Sequence, residues 1–164
     1  MDLIFIKNPK RTRKRSSNIT SVFSTTRPKR KTSYRRANKH RFRIRYLEKR
    51  VCGKELPYTA IQSQPIVSFR AEKGKLYTII LSNSHNAFWI VCNMTHPSQS
   101  ADKNTIVLPY FSPPKNHTYW FRLFEQSNFL VTDAIPIDRM NFSIQSFQSM
   151  YSLHKLSEIS LKVV

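Results

Sequence analysis

The sequence predicts a mostly β body with a short helix near its C-terminal end, preceded by an extended basic arm. Three observations lead there: a lopsided charge distribution, apolar runs recurring about every 8–12 residues between turns, and one late stretch with helical spacing. The chain has 164 residues, with 28 Lys+Arg against 9 Asp+Glu, a formal charge of +19. Residues 1–50 hold 18 of the bases against Asp2 and Glu48, a net +16, while residues 51–164 hold 10 bases and 7 acids, a net +3. Taking the boundary where the composition changes, residues 1–45 form the arm and 46–164 the body. A body of that size buries roughly 60–70% of its unfolded surface and folds alone. An arm so charged and so poor in aliphatics needs a polyanion to order it.

The arm carries its cations in clusters: Lys10, Arg11, Arg13, Lys14 and Arg15; then Arg27, Lys29, Arg30 and Lys31; then Arg35, Arg36 and Lys39. The stretch Arg41-Phe42-Arg43-Ile44-Arg45-Tyr46 alternates cation with apolar residue. As a strand it places Arg41, Arg43 and Arg45 on one face and Phe42, Ile44 and Tyr46 on the other. The cations fit a phosphate backbone and are the candidate RNA-binding residues. Arg- and Ser-rich, acid-poor N-termini also have the composition of transit peptides or of solvated tails.

The elements of the body follow in order. Pro65–Arg70 and Lys75–Ser82 read as strands separated by the Ala71–Gly74 turn. Ala87–Met94 is apolar at both parities, as in a strand covered on both faces. Thr105–Leu108 is a short strand, Pro109–Asn116 a proline-rich loop, and His117–Glu125 a long aromatic strand. Phe142, Phe147, Met150, Tyr151 and His154 recur at near-helical intervals and predict a helix over 143–153, with Asp138 or Asn141 as its cap.

Several functions are excluded by what the chain lacks. No apolar run reaches the length of a membrane span, and Leu3–Ile6 is too short for a secretory core. Cys52 and Cys92 make no disulfide framework and read as free thiols. His40, His85, His96, His117 and His154 have no metal-ligand spacing. Gly53 and Gly74 are the only glycines, so no glycine-built phosphate cradle is available. No nucleophile, base and orienting acid converge, so the sequence predicts no enzyme and no cofactor.

One ordered series goes further. Gly74–Leu81, Phe88–Met94, Tyr110-Phe111-Ser112-Pro113-Pro114, His117-Thr118-Tyr119 with Phe124-Glu125-Gln126, and Phe142…Phe147…Tyr151-Ser152-Leu153 occur in that order. The series resembles the phosphatidylethanolamine-binding protein (PEBP) family over roughly residues 50–155. The resemblance implies an antiparallel β-sandwich with a small anion pocket at one end. It also implies that the pocket has decayed. The family's Asp- and Pro-rich loop is reduced here to Ser82–Asn86, Phe88 stands where the family has a pocket histidine, and Ser112 replaces a glycine. Phe88, Pro113, Pro114, His117 and Tyr119 are then a vestigial ligand pocket for which no small-molecule ligand is expected.

A pocketless PEBP-like body behind a cationic arm resembles the PEBP-like constituents of the mitochondrial large ribosomal subunit. That resemblance implies a non-enzymatic ribosomal role in the mitochondrial matrix, with the arm on rRNA and the body against neighbouring large-subunit proteins. The competing reading is a soluble PEBP-like phospholipid- or anion-binding, or kinase-regulatory, protein with a polybasic tail attracted to anionic lipid. A generic nucleic-acid-binding protein is the third.

Overall fold

The computed structural model describes residues 41–47, 49–51, 53, 55–96 and 105–164. The strands are β1 Arg43–Tyr46, β2 Lys49–Val51, β3 Glu55–Leu56, β4 Ile66–Ser68, β5 Leu76–Ser82, β6 Ala87–Met94, β7 Ile106–Leu108, β8 His117–Gln126 and β9 Leu153–Val163. Among the described residues one α-helix, α1, spans Ile144–Met150. The strands form a small sheet in the order β2-β1-β4 and a large one in the order β3-β9-β8-β5-β6-β7. Pairing is antiparallel apart from β3 with β9, where Glu55 lies opposite Lys162 and bonds it at 2.6 Å.

Period-two patterning explains how the large sheet is covered. Ile79, Leu81, Trp89, Val91, Tyr119, Phe121 and Leu123 pack with Phe42, Ile44, Tyr46, Val51 and Val67 in the main core, which includes buried residues of both sheets. Ile80, Ala87, Ile90, Cys92 and Phe124 belong to a second core completed by Phe147 of α1 and by Phe142 just before it. Every residue of β6 is therefore buried, as its sequence requires. Burial also pushes the Cys92 thiol up to about 11, which keeps it protonated and unreactive.

Polar atoms at one end of this sheet are paired. The Gln126 amide accepts from Thr78 Oγ1 at 2.9 Å and from the Asn93 backbone N–H at 2.6 Å, and donates to Asn93 Oδ1 at 2.9 Å. Asn93 in turn donates to the Leu130 carbonyl and accepts from the Leu130 N–H. Such a network anchors the 127–131 connection without leaving a buried amide unsatisfied.

Three features depart from the expectations of sequence. The alternating stretch 41–46 is not separable from the body: β1 is the middle strand of the small sheet, with Phe42, Ile44 and Tyr46 in the core. Its alternation holds, with Arg43 and Arg45 exposed opposite that buried row. The helix is shorter than 143–153 and is not the last element, because Ser152 turns the chain at φ +50° into β9, the longest of the described strands. Its cap is Ser143, whose side chain accepts from the Ser146 N–H at 3.2 Å. Asp138 instead accepts from the Met140 N–H and the Asn141 side chain in the preceding turn.

Candidate functional site: a closed strand end and a cationic sheet face

At the start of β8 the backbone alternation sends Tyr119 inward, where it is fully buried, while His117 at the rim is exposed. The Tyr119 hydroxyl donates to the Pro114 carbonyl at 2.7 Å. Phe88, from β6, packs edge-on against the Tyr119 ring with centroids 5.1 Å apart. The His117 ring lies edge-on at 6.4 Å and takes no part in that hydrogen bond. Pro113 is buried and Pro114 exposed, so the proline loop lies over the phenol. Desolvation pushes the Tyr119 phenol up to about 12, so it remains a donor at all physiological pH values.

The structure thus brings Phe88, Pro114, His117 and Tyr119 together around a satisfied phenol and a phenyl ring. Binding a phosphate group takes several convergent donors to replace its lost water. Here the inward hydroxyl is already spent on backbone, and only the rim imidazole remains exposed. Tyr119→Phe is expected to cost about 1–2 kcal/mol by leaving the Pro114 carbonyl unpaired. Urea denaturation of the variant checks this, and an unchanged midpoint would show the bond to be dispensable. The same phenol gives an alkaline signature. Its folded value lies above the ordinary 10, so its share of stability is present below pH 10 and lost as pH rises towards 12.

A neighbouring device was not legible in the sequence. Arg139, from the connection between β8 and α1, donates to the Phe88 carbonyl at 3.2 Å and to the Pro109 carbonyl at 3.1 Å. Its guanidinium also lies 5.5 Å from the Phe111 ring centroid. Partial desolvation lowers its proton affinity. It ties the start of β6 to the proline-rich loop and so fixes the wall that Phe88 occupies.

Of the candidate RNA-binding residues, Lys10, Arg11, Arg13, Lys14, Arg15, Arg27, Lys29, Arg30, Lys31, Arg35, Arg36 and Lys39 lie outside the described residues. Arg41, Arg43 and Arg45 are described and exposed. Sheet pairing adds two cations that sequence spacing did not single out. Arg50 of β2 lies directly opposite Arg45, and Arg70, just beyond β4, shares a cleft with Arg41 and Arg43.

No protein-family model matches the sequence, and no curated protein matches it either. Solved structures do. A carboxypeptidase Y inhibitor complexed with its cognate proteinase matches with a TM-score of 0.63 at 12% identity, over 75% of this chain and 83% of that one. A phosphatidylethanolamine-binding protein from Plasmodium vivax matches with a TM-score of 0.60 at 18% identity, over 74% and 83%. Its counterpart from Plasmodium falciparum matches with a TM-score of 0.60 at 14% identity, over 75% and 84%. With its two sheets, its short late helix and its proline-covered strand end, the body has the PEBP-like fold.

Proposed function

We propose that this chain is a structural constituent of the mitochondrial large ribosomal subunit, holding rRNA through its basic arm and neighbouring proteins through its PEBP-like body. The observation that carries the reading is the net +16 gathered in residues 1–50 beside a nearly balanced remainder. Clustered Lys and Arg neutralise phosphates wherever rRNA helices approach, without needing base contacts. The body has no need of a ligand in this role, which suits the closed strand end around Tyr119 and Phe88. A body of this fold that works by docking on protein has a parallel in the carboxypeptidase Y inhibitor, found in complex with a proteinase.

Sedimentation of the endogenous protein tests the proposal. Co-migration with the large ribosomal subunit, reversed only by high salt, is expected; recovery in the light fractions at low salt would overturn it. Calorimetric titration with phosphoethanolamine separates the competing anion-binding reading. No saturable binding is expected below about 1 mM, equivalent to roughly 4 kcal/mol. Micromolar binding abolished by His117→Ala would put the ligand-binding reading ahead.

A further inference from the structure

The small sheet has one face in the core and one outside. Ile44, Val51 and Val67 lie in register across its three strands and are all buried. The adjacent rungs point the other way. Arg45 lies between Arg50 and Ile66, and Arg43 lies opposite Ser68. Arg43, Arg45, Arg50 and Ile66 are exposed. Just past the strand ends, Arg41 and Arg70 join Arg43 and Ser68 around a cleft of about 540 Å³.

Like charges directly across a strand pair destabilise a sheet, and the Arg45–Arg50 rung is such a pair. Nothing among the described residues relieves it. Ion pairs among the described residues join Lys75 to Glu72 and Glu125, Arg122 and Lys155 to Glu158, and Lys162 to Glu55. Arg41, Arg43, Arg45, Arg50 and Arg70 are absent from that set. Among the described residues this face gathers five guanidiniums that take part in none of those ion pairs, which suits it to an external anion.

We propose that this face is a second, folded binding site for the phosphodiester backbone of a nucleic acid, distinct from the arm. It deepens the ribosomal proposal and rests on it for the choice of polyanion. Three features favour a nucleic-acid backbone. Alternate residues on a strand stand about 7 Å apart, so Arg43 and Arg45 are spaced for a regularly repeating anion, with Arg41 beside Arg43 at the cleft. Guanidinium forks bind phosphate oxygens in bidentate fashion. Among the described residues the face exposes no aromatic ring on which a base would stack, so the contact is with backbone and is indifferent to sequence. In sequence this face follows the arm's last cluster, Arg35, Arg36 and Lys39.

The test uses the full-length chain. Arginine modification by phenylglyoxal is mapped by peptide mass, with and without a 20-base-pair RNA duplex. Protection of Arg43, Arg45, Arg50 and Arg70 is expected, with Arg139 unchanged. Parallel arms use a DNA duplex, polyglutamate and phosphatidylglycerol vesicles. Protection by either duplex supports the site, and the relative extents distinguish RNA from DNA. Equal protection by polyglutamate or by vesicles would overturn the assignment to nucleic acid. A full-length R43Q/R45Q/R50Q/R70Q variant should reduce the slope of log K against log salt by about 3 to 4, since each phosphate contact contributes about 0.9. The matching Arg→Lys variant should keep the slope to within about one contact. RNA binding with protection confined to the arm and an unchanged slope would remove this site and leave the ribosomal proposal standing. Wild-type chain that does not bind RNA at all would remove both.

Discussion

A chain that begins at residue 46 is expected not to fold, whereas one that begins at residue 41 should keep a cooperative unfolding transition. By composition the first of these cuts falls at the edge of the arm; by structure it removes the middle of the small sheet. β1 pairs with β2 on one side and β4 on the other, so its loss leaves both without a partner. Phe42 and Ile44 are 3% and 0% exposed and pack in the main core. Large-to-small losses at buried sites cost about 3–5 kcal/mol for Phe and 2–5 kcal/mol for Ile. Removing both, with the strand that carries them, exceeds or consumes the roughly 5–15 kcal/mol that keeps a domain folded. Ile44→Ala alone should cost about 2–5 kcal/mol. Urea titration followed by the fluorescence of Trp89 and Trp120 reads all three variants, and a 46–164 chain with the wild-type midpoint would show β1 to be an accessory strand.

That boundary illustrates what was legible in the sequence. Composition assigned Arg41–Arg45 to the arm because it counts charge, while periodicity assigned Phe42, Ile44 and Tyr46 to a buried face because it counts spacing. The structure follows the spacing: Phe42, Ile44 and Tyr46 are buried while Arg43 and Arg45 stay exposed, and the strand belongs to the small sheet. β6 was found to the residue because an apolar run covered on both sides leaves no ambiguity. β9 was missed for the opposite reason. Its apolar residues fall at Leu153, Leu156, Ile159, Leu161 and Val163, three residues apart at first and then two, which matches neither period for long. The strand is specified by pairing along the length of β8, from Gln126 opposite Leu153 to His117 opposite Val163, with a register shift at Leu123/Phe124. Information of that kind is non-local.

The same distinction holds at the sites. His117 and Tyr119 were visible as a pair, but the acceptor of the phenol is the Pro114 carbonyl, fixed by how the proline loop lies over β8. Arg139 had no signal at all, since its acceptors are backbone carbonyls of Ala87, Phe88 and Pro109. Arg50 and Arg70 join Arg43 and Arg45 only through the register of three short strands.

The second large effect belongs to the arm. Residues 1–40 hold 13 basic residues and a single acid, Asp2. If about six of these cations contact phosphates, the arm contributes roughly −4 to −6 to the slope of log K against log salt. Raising salt from 50 to 200 mM should then weaken RNA binding by about a thousandfold or more. A chain of residues 41–164 keeps β1 and the core, so its loss of affinity reports the arm and not unfolding. Its residual slope should be about −3 to −4, the share of the folded cationic face. Replacing Lys10, Arg11, Arg13, Lys14, Arg15, Arg27, Lys29, Arg30 and Lys31 by Gln in the full-length chain should reproduce most of that loss while keeping chain length constant. Fluorescence anisotropy with a labelled RNA duplex over a salt series reads both variants. An unchanged slope in the 41–164 chain would place the phosphate contacts on the body alone, and the arm would lose its role.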